Sequence, residues 1–434
     1  MASSKRAAPN HAQIDQAVEQ ISAEMIRFAQ QLVQTPSLPG NEQAVQKIIT
    51  QKLQHLNLQV EIIPSIRQDL EDHPAFCDDG VPFQDRINVV GKWRGVKTAT
   101  NFAKGRSLIL NGHVDVVSPG DESLWRHSPW SGRIENGNLY GRGSCDMKSG
   151  LSAAIFAVEA LQKIGFQPGG EVLLQSVIGE ESGGVGTLTT LVAGYRADAA
   201  VIMEPTRLRI CPTQAGAMTF RLKIHGKAAH ACLKNTGVCA IEKMIPIFKA
   251  LEAFDRKRHA RRQNPVFSDP NCIAPISIGT VRAGDWHSSV PEILVAEGRA
   301  GVFPGEALPE ARKAFETVIS KTAAQDEWLA QHPPAVAWFE GQFEPGETPL
   351  DSAIVKNLRA AHKETHSADP EIQGVTYGSD LRLFTNHGNV PAVLYGPGDV
   401  AQAHTVDEFI EIEQIVQCAK VLAHLIVNWT RGTF

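Results

Sequence analysis

Residues 107–115 read Ser-Leu-Ile-Leu-Asn-Gly-His-Val-Asp, an apolar run that ends in a histidine and an aspartate. The run predicts a buried β-strand over 107–111, with His113 and Asp115 just beyond its carboxyl end. In an open α/β sheet, ligands bind in the crevice outside the carboxyl ends of the strands. The two polar side chains share one side because the valine between them points away. The stretch therefore predicts an α/β sheet with a polar site at its edge.

Four further segments carry acidic residues or a histidine near predicted strand ends or in glycine-rich loops. They are Asp146 in Gly-Arg-Gly-Ser-Cys-Asp-Met-Lys, Glu180 and Glu181 in Gly-Glu-Glu-Ser-Gly-Gly, Glu204 in Ile-Met-Glu-Pro, and His404 in Ala-Gln-Ala-His-Thr. Strands predicted at 171–178 and 199–203 deliver the three glutamates to the same edge as His113.

Imidazole and carboxylate groups are the ligands that suit Zn²⁺ and similar divalent ions. His113, His404, Asp146, Glu181 and Glu204 together offer too many ligands for one tetrahedral ion. They suffice for two ions if one carboxylate bridges, and two metals about 3.5–4 Å apart form a hydrolytic site. We therefore predict two divalent ions in each chain, with zinc as first choice and cobalt or manganese as alternatives.

Each motif alone has a simpler interpretation. A single His-Val-Asp motif is more often a structural histidine, and Asp146 before a helix is a typical N-cap. Glu180 and Glu181 on an ordinary surface would be a solvated pair. The five ligands in separate motifs along one chain favour the metal site over these alternatives.

Composition excludes several classes of function. A net charge of −5 gives no reason to invoke nucleic acid or an anionic membrane, and no apolar stretch approaches the ~20 residues of a membrane span. No apolar signal-peptide core follows the basic N-terminus. The seven cysteines lack CxxC spacing, which indicates free thiols in a reducing compartment. We therefore predict a cytoplasmic protein.

The length of 434 residues predicts two domains. Alternation of strands and helices up to residue 212 favours a doubly wound α/β sheet. From residue 213 to 343 the pattern changes to four alternating strands and two helices, which predicts an inserted α+β domain. Residues 344–434 then return to the first domain, and they supply His404 and a closing helix over 412–429.

These motifs, in this order, resemble the two-zinc aminoacylase and carboxypeptidase family, which includes acetylornithine deacetylase and succinyl-diaminopimelate desuccinylase. The resemblance runs from about residue 20 to the C-terminus, and it is closest to acetylornithine deacetylase-like hydrolases at Tyr-Gly-Ser-Asp-Leu-Arg, 377–382. It implies a doubly wound mixed-sheet catalytic domain with an inserted ferredoxin-like dimerisation or lid domain. It also implies a homodimer formed through that insertion.

The resemblance implies a role for each residue. Asp146 bridges the two ions, His113 and Glu204 complete the first, and Glu181 and His404 complete the second. Glu180 is the general base, which takes a proton from the attacking water and passes it to the leaving nitrogen. We further expect the Asp115 side chain to accept the second ring proton of His113 and so orient the ring.

Three residues concern the substrate. The resemblance implies that His230 reaches into the partner's site across the dimer and stabilises the oxyanion. It implies that Arg382 pairs with a substrate carboxylate, although a structural salt bridge is an alternative for this residue. At 287–291 the chain reads His-Ser-Ser-Val-Pro, with Ser288 where many relatives carry asparagine, so its substrate contact differs from theirs.

The resulting hypothesis is a zinc-dependent hydrolase that cleaves the amide of an N-acylated amino acid or similar small carboxylate. Two enzymatic alternatives use the same residues, a dipeptide exopeptidase and a hydrolytic deaminase of an aromatic amine. A non-catalytic scaffold is a third alternative, and loss of Glu180 or of a ligand would favour it. Each of these residues is present.

Overall fold

The structure is a computed structural model that describes residues 9–95, 105–262 and 264–431. The basic N-terminal segment, residues 1–8, lies outside the described residues. Within these ranges the helices are α1 His11–Val33, α2 Gln43–His55, α3 Arg67–Leu70, α4 Ser149–Lys163, α5 Val185–Val192, α6 Ala240–Arg261, α7 Leu308–Ala323, α8 Glu327–Gln331, α9 Ala353–His366 and α10 Ile412–Arg431.

The strands follow in chain order among these helices. They are β1 Gln59–Pro64, β2 Ile87–Trp93, β3 Leu108–His113, β4 Arg133–Glu135, β5 Asn138–Tyr140, β6 Val172–Val177, β7 Ala199–Ile202, β8 Ile210–Gln214, β9 Gly216–His225, β10 Ala229–His230, β11 Ile276–Ala283, β12 Ser289–Val290, β13 Ile293–Val302, β14 Ala335–Phe343, β15 Gly346–Glu347, β16 Ile372–Val375, β17 Ala392–Leu394 and β18 Phe409–Glu411.

The largest sheet is mixed, with the order β1-β2-β6-β3-β7-β17-β8-β15 and with β16 paired to β8. β6, β3, β7 and β17 are parallel, whereas β2 and β8 pair antiparallel to their neighbours β6 and β17. Every residue of β3, β6 and β7 is buried, as expected for central strands of a parallel sheet. The mixed-sheet α/β fold that the sequence predicts is confirmed.

Four helices pack on one another beside this sheet, namely α1, α4, α9 and α10. α1 buries Ile14, Val18, Ile21 and Met25, which lie at three- and four-residue steps on one side of the helix. Asn10 caps its first turn, and the Gln13 side chain bonds back to the Asn10 backbone. The amphipathic helix predicted over 12–33 is therefore present, and it begins one residue earlier, at His11.

The second sheet is antiparallel, with the order β11-β13-β9-β14. α6 follows β9 and α7 follows β13, so the chain order is the βαββαβ pattern of a ferredoxin-like unit. β9 alternates between buried and accessible residues, and Phe220 from this strand packs against Phe315 of α7 at 4.7 Å between ring centroids. The inserted α+β architecture is confirmed.

The backbone divides into two compact units. Unit 1 comprises 1–212, 347–373 and 379–434, and unit 2 comprises 213–346 with 374–378. The predicted domain bounds, 1–212, 213–343 and 344–434, stay predictions, as does the role of the insertion in dimerisation or as a lid. Among the described residues, no helix combines the length and apolar character that crossing a bilayer requires.

Candidate active site

Three neighbouring parallel strands deliver side chains to one edge of the large sheet. His113 is the last residue of β3 and pairs in register with Val177 at the end of β6. Glu180 and Glu181 follow β6, and Glu204 follows β7, which pairs with β3 on its other side. Because parallel strands in register end at the same edge, these four side chains converge.

Asp146 and His404 reach the same edge from loops. Asp146 lies in the turn 144–148 that leads into α4, and a cis peptide bond links it to Met147. His404 has a φ of 62° in the turn before β18. Both loops belong to unit 1, as do the three strand ends.

The first group of potential metal ligands comprises His113, Asp146 and Glu204. His113 Nε2 lies 3.0 Å from Asp146 Oδ1 and 4.0 Å from Glu204 Oε1. The ligand atoms of the three residues all lie within 4.8 Å of one another. The two distances from His113 Nε2 are below the roughly 4.4 Å that two ligands bound at about 2.0–2.2 Å from one ion can span.

The second group comprises Asp146, Glu181 and His404. His404 Nε2 lies 2.9 Å from Glu181 Oε2 and 3.5 Å from Asp146 Oδ2. Asp146 thus presents Oδ1 to the first group and Oδ2 to the second. One carboxylate that faces two ligand sets with its two oxygens is the geometry of a bridging ligand.

The His113 ring is oriented by backbone and not by a side chain. Its Nδ1 lies 2.9 Å from the carbonyl oxygen of Asp115, whereas Asp115 Oδ1 is 3.6 Å away. A carbonyl only accepts, so Nδ1 carries a proton, and Nε2 is the ring nitrogen that faces Asp146 and Glu204 and would bind an ion. The expectation that the Asp115 carboxylate accepts this proton is therefore wrong, because the carbonyl of the same residue is closer.

The Asp115 carboxylate has a different partner. Its Oδ2 accepts the backbone N–H of Glu181 at 3.1 Å, and Asp115 is fully buried. This hydrogen bond ties the loop after β3 to the loop after β6. Asp115 therefore connects a ligand of the first group to a ligand of the second through the backbone.

The glutamates of the site are buried close to one another. Burial raises the pKa of Glu180 and of Glu204 well above the usual range, and the negative charges nearby raise it further. Burial likewise raises the pKa of Glu181, with Asp146 adding to the effect. Hydrogen bonds to Asp146 and Glu181 raise the pKa of His404 to about 10. Carboxylates crowded in this way need compensating positive charge if all are to ionise.

The donor set fits divalent ions. Glu204 Oε1 is buried and has no hydrogen-bond partner among the described residues. Its distance of 4.0 Å from His113 Nε2 is too long for a hydrogen bond. Leaving a buried carboxylate oxygen without a partner is costly. An ion between His113, Asp146 and Glu204 would satisfy this atom, and it would also reduce the repulsion among the carboxylates.

The tight turn after β6 depends on two glycines. Gly183 and Gly184 have φ values of 135° and 79°, a region that other residues rarely adopt. A Cβ on Gly184 would lie 2.3 Å from Asp380 Oδ1, and one on Gly183 would lie 2.6 Å from the Cβ of Cys77. These glycines allow Glu180 and Glu181 to turn back toward the sheet edge.

Glu408 contributes to the site and was not identified from the sequence. It is fully buried, and its Oε1 accepts the backbone N–H groups of Cys145 at 2.9 Å and Asp146 at 3.2 Å. Its Oε2 pairs with Arg142 Nη1 at 2.5 Å. The only sequence signal was an acidic residue four positions after His404 and an arginine four positions before Asp146. Glu408 thereby holds the backbone that presents the bridging carboxylate.

Arg382 is buried and contacts the turn of the two glutamates. It is 1% exposed, and its Nη2 donates to the Gly183 carbonyl at 2.7 Å. Asp380, two residues earlier, accepts the Thr187 hydroxyl at 2.5 Å, and burial raises the pKa of Asp380 to about 6. The contact with Gly183 gives Arg382 a structural role, while its predicted pairing with a substrate carboxylate stays a prediction.

His230 and Ser288 both lie in unit 2, and the structure brings their backbones together. β10 pairs with β12, so that His230 is opposite Ser289, and the Ala231 N–H donates to the Ser288 carbonyl at 2.9 Å. The His230 side chain is exposed, with Nδ1 accepting the Cys232 N–H at 3.3 Å. Ser288 Oγ lies 2.8 Å from His287 Nδ1. The substrate roles of His230 and Ser288 stay predictions.

Residues 109–428 match the model of peptidase family M20/M25/M40. Among curated proteins, the chain is 31% identical to the N-formyl-4-amino-5-aminomethyl-2-methylpyrimidine deformylase of Bacillus subtilis (strain 168). The alignment covers 95% of this chain and 96% of that protein. A probable succinyl-diaminopimelate desuccinylase of Staphylococcus epidermidis (strain RP62A) is 26% identical over 70% of this chain and 78% of its own length.

A solved structure shares the fold. The M20 family metallo-carboxypeptidase Sso-CP2 of Sulfolobus solfataricus superposes with a TM-score of 0.73 over 95% of this chain and all of that chain. The two sequences are 16% identical, so this likeness concerns the fold alone.

Proposed function

The chain belongs to peptidase family M20/M25/M40 and is a metal-dependent hydrolase of amide bonds, and from this premise we propose that its substrate is a small non-peptide N-acylated amine. The deformylase of Bacillus subtilis, whose alignment spans nearly both chains, favours a formyl or similarly small acyl group. The observation that carries the hydrolytic mechanism is Asp146, whose two oxygens face two separate ligand sets.

We propose zinc as the metal, with cobalt and manganese as substitutes. His113, Asp146 and Glu204 would hold one ion, and Asp146, Glu181 and His404 the other. When bound, two such ions supply positive charge that lowers the pKa of a water molecule and polarises the amide carbonyl. Imidazole nitrogen and carboxylate oxygen are ligands that zinc accepts in a catalytic site.

Glu180 is the proposed general base. It is 7% exposed, and its charge interacts with those of Glu181 and Glu204, which agrees with a position beside both ligand sets. The carboxylate would take a proton from the attacking water and deliver it to the nitrogen as the C–N bond breaks. The products are then a free amine and a small carboxylic acid, so atoms and charge balance.

His230 is the proposed stabiliser of the carbonyl oxygen. Its imidazole is exposed, and the Cys232 N–H bonds to Nδ1, which leaves Nε2–H available to donate. A donor aimed at charge that develops in the transition state contributes strongly to catalysis. We propose that His230 acts in the site of a partner copy within a homodimer.

We also propose that the enzyme works in a reducing compartment such as the cytoplasm. All seven cysteines lie within the described residues, and none forms a disulfide there. Structural disulfides are rare in such compartments.

A substrate panel tests the proposal. The zinc-, cobalt- and manganese-loaded enzyme would be assayed with N-formyl, N-acetyl, N-succinyl and N-carbamoyl amino acids, with N-formyl-4-amino-5-aminomethyl-2-methylpyrimidine, and with dipeptides. We expect kcat/KM to be highest for an N-formyl or N-acetyl compound, and a Glu180→Gln preparation serves as the blank. Turnover of dipeptides alone would instead support the exopeptidase alternative.

A further inference from the structure

A third group of potential metal ligands lies on the helical layer of unit 1. It comprises His11 at the start of α1, Glu364 in the last turn of α9, and His424 within α10. None of these residues belongs to the sheet edge that carries the proposed catalytic groups. We call this set the helical cluster.

The three ligand atoms of the helical cluster have the spacing of one face of a tetrahedron. His11 Nδ1 and His424 Nδ1 are 3.3 Å apart, and Glu364 Oε2 lies 3.5 Å from each of them. Ligands bound at about 2.0–2.1 Å in a tetrahedral shell lie roughly 3.3–3.5 Å from one another. The three distances between ligand atoms are therefore those expected in a zinc-type shell.

A neighbouring carboxylate sets the tautomer of His424. Its Nε2 lies 2.9 Å from Asp15 Oδ1, and a carboxylate accepts, so Nε2 carries the proton. Nδ1 of His424 then carries a lone pair, and this nitrogen faces His11 Nδ1 and Glu364 Oε2. Histidines that ligate metals typically donate their other ring N–H in this way, which orients the ring and raises its basicity.

The carboxylate of the helical cluster is held as well. Asn428 Nδ2 donates to Glu364 Oε2 at 3.0 Å, and Asn428 lies one helical turn after His424 on α10. His424 is 1% exposed and Glu364 is partly buried, whereas His11 is exposed on one side. The cluster thus has two fixed ligands and one that can move aside, which provides a path for an ion to enter from solvent.

The charges around the helical cluster favour a cation. Two acidic side chains, Asp15 and Glu364, face the two imidazoles of His11 and His424. Two imidazole nitrogens and one carboxylate oxygen suit Zn²⁺, Co²⁺, Ni²⁺ or Cu²⁺ better than the hard ions Mg²⁺ and Ca²⁺. A water molecule can supply the fourth ligand on the exposed side of His11.

We propose that His11, Glu364 and His424 form a third metal site, which holds one zinc-type ion and fastens the first helix of the chain to the last two. The ligands come from α1, α9 and α10, and these helices already pack on one another. An ion that binds the folded chain and not the unfolded chain stabilises the fold by mass action. The role of the third site is therefore structural.

Metal counting tests the proposal. The purified enzyme would be stripped with a chelator, reloaded with zinc, freed of excess metal, and analysed by inductively coupled plasma mass spectrometry. His11→Ala removes an exposed ligand and leaves the buried residues in place, and Glu364→Gln keeps the shape and the contact with Asn428. His55→Ala, which removes an exposed histidine at the end of α2, is the matched control.

We expect His11→Ala and Glu364→Gln to hold about one equivalent less zinc than the wild type, with kcat/KM unchanged. His55→Ala should retain the full content. Cobalt loading gives an independent readout, since the difference spectrum between wild type and His11→Ala should show the visible bands of tetrahedral cobalt. The zinc-induced rise in Tm should also be smaller in both variants than in the wild type.

Equal zinc content in the wild type and His11→Ala would overturn the proposal, and the cluster would then be a hydrogen-bonded pair of histidines only. The experiment does not depend on the catalytic assignment. If the catalytic site binds fewer ions than proposed, the difference of one equivalent between wild type and variant remains.

Discussion

At the scale of single residues, the site depends on side-chain and backbone groups that are not themselves proposed metal ligands. Glu408 accepts the backbone N–H groups of Cys145 and Asp146, and the Asp115 carbonyl fixes the ring of His113. The Glu408 contacts join positions 263 and 262 residues apart, whereas the Asp115 contact lies within one loop. Orientation of the ligands is therefore set by buried hydrogen bonds as much as by the strands.

Glu180→Gln tests the general base. The change preserves the shape of the side chain and removes its ability to accept a proton, so we expect kcat to fall by about 10²–10⁴-fold. Metal content should stay at the wild-type value because Glu180 is not among the proposed ligands. A variant with kcat within a factor of a few of the wild type would assign the base to another residue.

Glu408→Gln tests the support of the bridging carboxylate. The amide oxygen can still accept the N–H groups of Cys145 and Asp146, but the negative charge and the acceptor oxygen opposite Arg142 are lost. Loss of such a partner typically weakens metal affinity by about 10–100-fold, and we expect a change of that size. Titration with a competing chelator measures it, and Glu411→Gln, an exposed acidic residue on β18, is the control. Identical affinities in both variants would contradict the role of Glu408.

At the scale of elements, α6 and β11 leave an apolar surface on unit 2. Ile241, Ile245 and Phe248 of α6 are 43–49% exposed and lie one turn apart on one side of the helix. β11 is an edge strand of the four-stranded sheet, and most of its residues are accessible. Apolar patches and open strand edges of this kind mark association surfaces. They support the predicted dimerisation through the insertion.

Ile245→Glu tests this surface. A charge in the middle of the apolar row should oppose burial, so we expect the mass of the wild-type dimer to fall to that of a monomer. Light scattering coupled to size-exclusion chromatography measures the mass. Val192→Glu, on an equally exposed valine at the end of α5 in unit 1, should leave the dimer intact. A wild-type protein that is already monomeric would contradict the prediction.

The elements also show where sequence patterns succeed and where they fail. The strand predicted over 107–111 ends at His113 in the structure, because its register with β6 continues to Val177. β17 has three residues and is defined by its neighbours β7 and β8, so no periodicity could indicate it. α5 was not predicted, since threonine and valine favour strands and only packing makes this segment helical.

The candidate site was more predictable than the elements around it. Metal ligands must be of a few residue types, and strand ends can be located from apolar runs, so His113, Glu181 and Glu204 could be placed from the sequence. Glu408 could not, because its contact with Cys145 joins positions 263 residues apart. The Asp115 interaction was predicted with the wrong atom, since a sequence does not specify which oxygen of a residue lies nearer the ring.

At the scale of the whole molecule, the proposed catalytic residues are divided between the two units. The metal ligands and Glu180 belong to unit 1, whereas His230 belongs to unit 2. If His230 acts across a dimer, each complete site needs residues from two chains.

Complementation tests this sharing. His230→Ala and Glu180→Gln should each be nearly inactive alone, and both should retain their metals. When the two variants are co-expressed, mixed dimers should recover part of the activity, because one of their two sites keeps both residues. Absence of recovery in isolated mixed dimers would place His230 in its own chain's site or outside the site.

Metal removal should destabilise unit 1, which carries all the proposed ligands. Without cations, the buried Glu180, Glu181 and Glu204 repel one another, and the pKa of each is raised by burial. We expect chelation to abolish turnover and to lower Tm, and zinc to restore both. Full activity after complete removal of metal, verified by elemental analysis, would contradict a metal-dependent mechanism.

The position of β17 has a consequence for biosynthesis. This strand lies between β7 and β8 in the large sheet. The ribosome nevertheless makes it only after residues 213–346 of unit 2 have been translated. The nascent chain therefore carries two strand edges that lack their native neighbour while the insertion is being translated. Open edges pair readily with other chains. We infer that the central sheet closes only near the end of translation, and that truncated or prematurely terminated chains aggregate.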